Sequence, residues 1–398
     1  MNFKDLKVSH DIVASLAARG ITRPMPVQER SIPLLMRGED LICQSETGSG
    51  KTLAFALPII ERTVHSKRIQ AVILAPTREL ANQIRTDMVN ASQQRALHIV
   101  NVYGGVSIEP QIQELARADI LIGTPGRVLD HMRRGTVNFA QVKFLVLDEA
   151  DRMLDMGFID DVETIIKALP RKRQTMLFSA TMPPEVVRLS RRYMHAPKLV
   201  QTRAHVKREY LVQYYCDVLD HQKFSALIHL IKKEKPRSAI IFCSKRIVAE
   251  AVMSNMKRQG LDAQALHGGL SQQQRDSIMR SFRQGTLTLL VATDLASRGL
   301  DIEGVTHIFN YNIPDHYKDY THRIGRTARA GKAGKAISII SPSDHQAFRR
   351  VLSDPEIRVI KIHIGHFRNI PFTPLRSSQH LYRDKRPARG RARKRMYR

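Results

Sequence analysis

The chain has 398 residues, of which 42% are hydrophobic, and its formal net charge at pH 7 is +27. This length exceeds what one compact core usually holds and suits two domains of ordinary size, and the apolar content excludes a wholly disordered chain. A positive surplus this large attracts polyanions such as nucleic acid or an anionic membrane surface, and we expect nucleic acid as the partner; the alternative is charge that only keeps the chain soluble.

The sequence contains no segment with the length and hydrophobicity of a membrane span. The longest apolar run, residues 53–60, is too short to cross a bilayer, and residues 1–10 lack the apolar stretch of a secretory signal. Cys43, Cys216 and Cys243 lie within apolar runs and share no metal-type spacing. We therefore expect a cytoplasmic protein with three buried thiols and no membrane contact.

Short apolar runs alternate with longer helical patterns until about residue 360. The runs are apolar nearly throughout, which is typical of parallel strands covered by helices on both faces. The first series of predicted strands comprises residues 40–43, 71–75, 98–103, 119–123, 143–148 and 175–180. The second series comprises residues 211–217, 238–243, 287–294, 305–312 and 335–340. Two such series predict an α/β protein with two doubly wound parallel-sheet domains.

The composition between and after the two series sets the expected domain boundaries. Residues 201–210 are polar and basic without periodicity, so we expect a linker there between domains at 1–200 and 211–360. Residues 361–398 are expected to form a basic, disordered tail that cannot bury apolar surface. Its last part, residues 383–398, holds nine Lys or Arg and one Asp.

A Gly-rich loop follows the first predicted strand and precedes a helical pattern. Gly48 and Gly50 allow the backbone to wrap around phosphate groups, toward which the N–H groups of a helix start point. Lys51 adds a positive charge for the outer phosphates, and the Thr52 hydroxyl suits a Mg²⁺ ligand. The strict phosphate-loop pattern requires glycine where this chain has Ser45, so the loop alone does not identify the ligand.

The predicted strand at residues 143–148 ends in two adjacent acids, Asp148 and Glu149. Such a strand is the expected second half of a phosphate-loop ATPase, where the first acid holds Mg²⁺, usually through water. Glu149 would then polarise the water that attacks the phosphate. The alternative is an acidic pair at a strand end that only faces solvent.

The order of the motifs along the chain resembles that of the DEAD-box family of ATP-dependent RNA helicases, in superfamily 2. The first-domain motifs are GITRPMPVQ (20–28), SETGSGKT (45–52), PTREL (76–80), GG (104–105), TPGR (124–127), DEAD (148–151) and SAT (179–181). The second-domain motifs are IIFCSKR (240–246), QQQR (272–275), TDLASRGLD (293–301) and HRIGRTARAG (322–331). With its short basic tail, the chain is similar to a minimal prokaryotic-type member. The resemblance implies two tandem RecA-like domains joined by a short linker.

The resemblance also implies an RNA-dependent ATPase with ATP and Mg²⁺ as cofactors and RNA as a sequence-independent partner. In the implied cycle, ATP and RNA close the two domains, the closed form melts a duplex locally, and hydrolysis opens the clamp. Residues 383–398 are expected to be a non-specific RNA tether, the alternative being a solvated tail with no partner, and the sequence does not identify ribosomal or RNA-processing complexes. Three alternatives are an ATPase that tracks along DNA, an RNA-binding scaffold with little unwinding activity, and a metabolic kinase.

Gln28 is the adenine-binding residue that the resemblance implies. Its amide offers a donor and an acceptor side by side, which match N7 and the N6 amino group of adenine but not O6 of guanine. The alternative for Gln28 is a helix-cap amide. Phe3 corresponds to an aromatic that packs near the base, and Ile21 stands where an aromatic is usual. The implied ATP contacts are Phe3, Ile21, Arg23, Gln28, Ser45, Glu46, Thr47, Gly48, Ser49, Gly50, Lys51, Thr52, Gly299, Asp301, Arg326 and Arg329.

The second domain has no phosphate loop of its own, so the resemblance implies a single ATP site that this domain completes. Arg326 and Arg329 resemble arginine fingers that neutralise charge developing on the γ-phosphoryl group. His322 resembles a histidine near the attacking water, Asp301 matches an acid that binds the ribose, and Ala328 stands where glycine is common. The implied catalytic residues are Lys51, Glu149, His322, Arg326 and Arg329, with Thr52 and Asp148 as Mg²⁺ ligands.

The residues that the resemblance assigns to RNA are mostly small or positively charged. Such residues suit binding of the phosphate backbone without reading of bases, and a preference for RNA over DNA would require contacts with the 2′-OH. Ser179 and Thr181 are expected to couple the two sites through hydrogen bonds toward Asp151, although hydroxyls at a strand end also act as simple caps. The implied RNA contacts are Pro76, Thr77, Arg78, Gly105, Thr124, Gly126, Arg127, Gln272, Arg275 and Thr293.

Overall fold

The structure of the chain, a computed structural model, describes residues 2–45, 48–202, 211–294, 305–328, 333–354 and 357–375. The chain divides into two compact units: among the described residues, unit 1 comprises those up to Leu211 together with Ala328 and Ala333, and unit 2 comprises the others. Residues 203–210, most of the expected linker, lie outside the described residues. None of the described helices has the length and hydrophobicity that crossing a membrane requires.

Unit 1 is built on a seven-stranded sheet. Its strands are β1 (Leu41–Ser45), β2 (Ala71–Leu74), β3 (Ile99–Val102), β4 (Ile120–Gly123), β5 (Phe144–Leu147), β6 (Gln174–Ser179) and β7 (Lys198–Thr202). They lie in the order β3-β4-β2-β5-β6-β1-β7 and pair in parallel, with Ile73 of β2 opposite Val146 of β5. Every residue of β2, β4, β5 and β6 is buried, as expected for strands between two layers of helices.

Helices cover both faces of this sheet. They are α1 (His10–Ala17), α2 (Pro26–Met36), α3 (Lys51–Arg62), α4 (Arg78–Ala91), α5 (Glu109–Leu115), α6 (Pro125–Arg133), α7 (Ala150–Asp155), α8 (Ile159–Ala168) and α9 (Pro184–Tyr193). One hydrophobic core includes α1 to α4, and a second core includes α5 to α9. Alternate residues of β2 enter the two cores, which places the cores on opposite faces of the sheet.

Unit 2 contains a second seven-stranded sheet. Its strands are β8 (Leu211–Asp217), β9 (Ala239–Cys243), β10 (Ala263–Leu266), β11 (Leu289–Thr293), β12 (His307–Asn310), β13 (Gly334–Ile340) and β14 (Ile360–Lys361). Its helices are α10 (Lys223–Glu234), α11 (Arg246–Arg258), α12 (Gln272–Arg283), α13 (Tyr317–Ile324) and α14 (His345–Leu352), with short 3-10 helices at Asp220–Gln222 and Pro342–Asp344. The strand order is β10-β11-β9-β12-β13-β8-β14. The doubly wound α/β class predicted from the apolar runs is confirmed for both units.

Three strands, β7, β10 and β14, were not predicted from the sequence. β7 extends into the expected linker through Gln201 and Thr202, and most of its side chains are exposed at the sheet edge, so no apolar run marks it. β10 is short and contains the polar Gln264. β14 has only two residues, both exposed. All three are edge strands, which need little apolar sequence.

Residues 361–375 pack on unit 2, so the expectation of a disordered tail from residue 361 is wrong for this part. Ile360 of β14 lies opposite Tyr214 of β8, and Asn255 Nδ2 donates a hydrogen bond to the Thr373 carbonyl at 2.9 Å. The basic composition concealed an apolar spacing. The side chains that contact the core of unit 2 from this segment are Ile362, Ile364, Phe367, Ile370 and Phe372. Residues 376–398 lie outside the described residues.

The prediction of three buried thiols is confirmed, because Cys43, Cys216 and Cys243 are all buried and free. Burial raises the pKa of both Cys216 and Cys243 to about 12. These thiols therefore stay protonated at neutral pH, and a protonated thiol is a poor nucleophile and a poor metal ligand.

Candidate nucleotide-binding and RNA-binding sites

The parallel sheet of unit 1 places its predicted functional loops on one side, at the carboxyl ends of its strands. Parallel neighbours have their carboxyl ends on the same side, and such sheets bind ligands there. The predicted RNA residues follow β3, β4 and β2, which are neighbours at one end of the sheet. The predicted phosphate-loop residues follow β1, and the predicted catalytic, Mg²⁺-binding and coupling residues lie at the ends of β5 and β6, which are neighbours of β1 further along the sheet. The strand order thus places a candidate RNA site and a candidate nucleotide site side by side at the carboxyl ends of the strands.

The phosphate loop of unit 1 connects β1 to α3. Gly48 and Gly50 have φ of 81° and 89°, a left-handed conformation that favours glycine. Lys51, the first residue of α3, is buried, and its Nζ donates a hydrogen bond to the Ser45 carbonyl at 2.9 Å. The Ser49 hydroxyl donates to the Ser45 hydroxyl at 3.0 Å. Ser45, which stands where the strict pattern has glycine, therefore adds a side-chain hydrogen bond within the loop.

Gln28 on α2 connects this helix to the phosphate loop. The side chain is 2% exposed, and its Nε2 donates to the Gly50 carbonyl at 3.0 Å while its Oε1 accepts from the Met25 N–H at 2.9 Å. Gln28 is thus a helix-cap amide, the alternative considered for it. Among the described residues, each half of the amide keeps one unused position, a second N–H and a second lone pair. A Cβ at position 50 would lie 2.5 Å from Nε2, so this approach requires glycine.

The remaining predicted nucleotide contacts of unit 1 differ in position. Phe3 is 1% exposed and packs in the hydrophobic core. Ile21 is half-buried against the same core, whereas Arg23 is exposed. Thr52 is half-buried in the first turn of α3, and Glu46 and Thr47 lie outside the described residues.

Asp148 is buried immediately after β5 and accepts a hydrogen bond from the Glu149 N–H at 3.0 Å. Burial raises the pKa of Asp148 to about 7, an effect that Lys51 opposes and the negative charge of Glu149 and Asp151 reinforces. A buried carboxylate of this kind gains by binding a cation, so the residues present fit Mg²⁺. Within the described ranges no group of three or more His, Cys, Asp or Glu side chains is arranged to hold a metal. This agrees with Mg²⁺, which usually binds one or two carboxylates, waters and substrate phosphates.

Glu149 has backbone strain and a buried ionic partner. Its φ and ψ are both 51°, the left-handed region that residues other than glycine seldom occupy and that recurs at functional sites. Its Oε2 accepts a hydrogen bond from Nη1 of buried Arg152 at 2.9 Å. Nη2 of Arg152 is buried without a hydrogen-bond partner among the described residues. Arg152 was not among the residues predicted from the sequence, although its position directly after the DEAD motif was a signal.

Hydrogen bonds connect the DEAD and SAT motifs across neighbouring strands. Oδ2 of Asp151 accepts from the Thr181 N–H at 2.8 Å and from the Thr181 hydroxyl at 2.9 Å. The Ser179 hydroxyl accepts from the Asp151 N–H at 3.2 Å and donates to the Thr181 carbonyl at 2.7 Å. The contacts expected from the sequence are present, and they cross from the end of β6 to the start of α7.

The predicted RNA contacts of unit 1 form one surface at the β3, β4 and β2 end of the sheet. Gly105 has φ of 77°, and the guanidinium of Arg78 occupies the space that a Cβ at this position would need. Arg127 on α6 donates from Nη2 to the Val106 carbonyl at 3.0 Å. The Thr77 hydroxyl accepts from Leu80 N–H and caps α4. Thr124 immediately precedes α6, Gly126 is exposed in its first turn, and Pro76 is buried.

The predicted RNA contacts of unit 2 follow β10 and β11, which are neighbours in its sheet. Thr293 is buried at the end of β11. Gln272 begins α12 and donates from Nε2 to Asp276 at 2.9 Å, and Arg275 lies one turn further, half-buried. The arrangement parallels unit 1, because the candidate RNA residues again follow neighbouring strands at one end of a sheet.

Arg323 in the HRIGRTARAG motif is buried and holds the end of α13. It makes a bidentate ion pair with Asp294, with N···O distances of 2.6 and 2.7 Å, and donates from Nη1 to the Asn312 carbonyl at 2.6 Å. This arginine was not among the functional residues predicted from the sequence. Arg326 is buried and His322 is half-buried. Gly299, Asp301 and Arg329 lie outside the described residues.

Ala328 has φ of 56°, a left-handed conformation that its methyl group disfavours. We expect Ala328→Gly to raise the free energy of unfolding by about 1 kcal/mol, because relief of a 1–2 kcal/mol strain exceeds the entropy cost of glycine. Chemical denaturation measures the change. The control Ala347→Gly, within α14, should lower the same free energy by about 1 kcal/mol. A loss of stability in both variants would contradict the strain at Ala328.

Comparison with known proteins identifies the family. The sequence matches the family model described as DEAD/DEAH box helicase over residues 25–189 and the helicase conserved C-terminal domain over residues 222–331. It is 44% identical over 345 residues to the ATP-dependent RNA helicase CshA of Listeria monocytogenes, which covers 86% of this chain and 66% of that protein. The chain therefore spans just under two thirds of this relative's length.

Two solved structures are also similar to the chain. A DEAD box protein from Methanococcus jannaschii is 40% identical, with a TM-score of 0.56 over 91% of this chain and 99% of that one. Dbp5 of S. cerevisiae, bound to RNA and ADP BeF3, is 30% identical, with a TM-score of 0.81 over 91% of this chain and 96% of that one. The seven-stranded sheets correspond to the tandem RecA-like domains of such structures. The chain belongs to the DEAD-box family of ATP-dependent RNA helicases.

Proposed function

We propose that this chain hydrolyses ATP in response to RNA and uses the cycle to open short RNA duplexes locally. The observation that carries the proposal is the order of the loops at the carboxyl ends of the unit 1 strands. The loops with the candidate RNA residues follow β3, β4 and β2, and the loops with the candidate ATPase residues follow the adjacent strands β5, β6 and β1. Asp151 and Thr181, which are hydrogen-bonded to each other, lie on the nucleotide side of that arrangement.

ATP is held by the phosphate loop. The N–H groups at the start of α3 and the charge of Lys51 attract the phosphates, and the unused amide positions of Gln28 suit adenine. Asp148 and Thr52 are the residues that would hold Mg²⁺, which supplies electrostatic stabilisation of the phosphate oxygens when bound. Glu149 orients and polarises the attacking water. Arg326, Arg329 and His322 act on the transferred phosphoryl group, and Gly299 and Asp301 contact the nucleotide, as the resemblance implies.

RNA is bound through its backbone. Arg78 and Arg127 supply positive charge, and Gly105 and Gly126 let phosphates approach the main chain closely. Gln272, Arg275 and Thr293 extend the same chemistry to unit 2. Because these groups do not read bases, the binding is largely independent of sequence.

The basic tail assists this binding as a non-specific tether. Leu375, the last described residue before residues 376–398, lines a cavity of about 690 Å³ together with Gln274 of α12. Gln272 and Arg275 lie on the same helix. A cationic segment that follows Leu375 in the chain raises the local concentration of RNA near these residues.

Steady-state ATP hydrolysis tests the proposal. We expect single-stranded and duplex RNA to stimulate the rate strongly, with little effect from DNA of the same sequence. Equal stimulation by DNA would favour the alternative of an ATPase that tracks along DNA. A rate that RNA leaves unchanged would refute the proposal.

We expect hydrolysis to be specific for adenine and Gln28→Ala to remove that specificity. A bidentate amide contact is worth about 1–3 kcal/mol of discrimination, which corresponds to roughly 5- to 150-fold in kcat/KM. The measurement compares kcat/KM for ATP and GTP in wild type and in Gln28→Ala. Glu29→Ala, the neighbouring position on α2, is the control. Equal values for the two nucleotides in the wild type would show that Gln28 does not read the base.

A further inference from the structure

Gln111 on α5 holds the loop that contains the predicted RNA contact Gly105. The side chain is 8% exposed, and its Nε2 donates to the carbonyl of Tyr103 at 3.2 Å and to that of Ser107 at 3.2 Å. These carbonyls lie on either side of the two glycines at 104 and 105. One amide group therefore closes the loop at both ends.

His131 on α6 holds Gln111 from the other side. The ring is 0% exposed, with Nε2 3.3 Å from Gln111 Oε1 and Nδ1 2.8 Å from the Thr136 hydroxyl. The Nε2 group of the Gln111 amide donates to two carbonyls, so the amide oxygen is the atom that faces the His131 ring. This oxygen can only accept a hydrogen bond, and Nε2 of His131 therefore carries the donated proton. Burial lowers the pKa of His131, which favours the neutral ring.

A second contact connects the same loop to α6. Nη2 of Arg127 donates to the Val106 carbonyl at 3.0 Å. The loop is therefore attached to α6 at two points, through Gln111 and His131 on the buried side and through Arg127 on the outer side. Since α6 begins directly after Thr124, the GG and TPGR motifs are joined into one unit.

We propose that Gln111 and His131 are positioning residues for RNA, which hold the loop at 103–107 against α6 so that Gly105 and Arg127 present one phosphate-binding surface. The proposal rests on the RNA-binding role of that surface. Neither side chain is required to touch RNA. Their effect is on RNA affinity, because a displaced loop no longer offers its N–H groups at the spacing of a nucleic-acid backbone.

The test replaces Gln111 with Met, which keeps the volume and removes the two hydrogen bonds that the amide donates and the one that it accepts from His131. We expect the RNA concentration for half-maximal ATPase stimulation to rise about tenfold or more, because the loop loses the hydrogen bonds that hold its phosphate-binding groups in place. The kcat at saturating RNA and the KM for ATP should stay within about twofold. Gln113→Met on the same helix, at an exposed position, is the matched control and should change none of these values.

His131 provides an independent test and a rescue. His131→Leu should weaken RNA binding as Gln111→Met does, whereas His131→Gln, which keeps a donor for Gln111, should retain most of the affinity. Hydrogen exchange should accelerate at the amides of residues 104–107 in the weakened variants. Thermal unfolding distinguishes weaker RNA binding from loss of the fold. If Gln111→Met does not fold, the comparison of His131→Leu with His131→Gln tests the proposal instead.

Arg127→Ala distinguishes the two proposals. If Arg127→Ala weakens RNA binding and both Gln111→Met and His131→Leu leave it unchanged, the positioning role is wrong and the RNA surface stands. If Arg127→Ala also leaves RNA affinity unchanged, the RNA surface itself is wrong. A fall in kcat without a change in RNA half-saturation would likewise overturn the positioning role.

Discussion

Glu149→Gln is expected to abolish steady-state ATP hydrolysis while ATP and RNA remain bound. The amide keeps the size of the carboxylate but cannot accept a proton from the attacking water, and general bases are worth about 10²–10⁴ in rate. The variant should accumulate in the state with both ligands bound, because release depends on hydrolysis. Single-turnover hydrolysis and RNA affinity with and without ATP measure the two halves of this expectation.

Glu149 also accepts a hydrogen bond from buried Arg152, so its replacement removes an ion pair. Thermal unfolding of Glu149→Gln checks that lost activity does not reflect lost structure. Glu114→Gln, an exposed glutamate of α5, is the control and should behave as wild type. A near wild-type hydrolysis rate in Glu149→Gln would show that another group activates the water.

Arg326→Ala should lower RNA-stimulated kcat by about 10³–10⁵, with a smaller change in the KM for ATP. An arginine finger neutralises charge that appears only as the phosphoryl group is transferred, so its loss affects the transition state more than ATP binding. Arg329→Ala should behave similarly, and Arg326→Lys should recover only part of the rate because a lysine lacks the planar, forked donors.

Steady-state kinetics measure kcat and KM for Arg326→Ala and for a control, Arg349→Ala. Arg349 is an exposed arginine of α14. Arg349→Ala should leave kcat and KM unchanged. Because Arg326 is buried, circular dichroism must show that the variant keeps its fold. An effect confined to KM would assign Arg326 to ground-state binding of ATP.

The sequence predicted the interior of both sheets because helices on both faces make central strands apolar throughout. Residues 71–75 and 143–148 are examples, and β2 and β5 lie within them. The edge strands β7, β10 and β14 carry a weaker signal, because an edge strand tolerates exposed or polar side chains, as in β7, whereas the edge strand β3 is mostly buried and was predicted. The segment after Lys361 was hidden for a related reason: its apolar residues are interspersed with basic ones and pack individually rather than as a strand.

The candidate sites were predictable where chemistry depends on a contiguous motif. Hydrogen bonding between Asp151 and Thr181 followed from the motif order. Contacts that depend on tertiary packing were not predictable. Phe3 is a core residue, and Gln111 and His131 meet only because α5 and α6 flank β4 in the fold.

Strand separation of a short RNA duplex tests the central claim most directly. With the wild-type chain, a labelled strand should be released in the presence of ATP, and omission of nucleotide should abolish release. Glu149→Gln should open at most one duplex per molecule, because it binds ATP but does not turn over. RNA-stimulated hydrolysis without strand release would contradict the account and favour a clamp or scaffold with little unwinding activity.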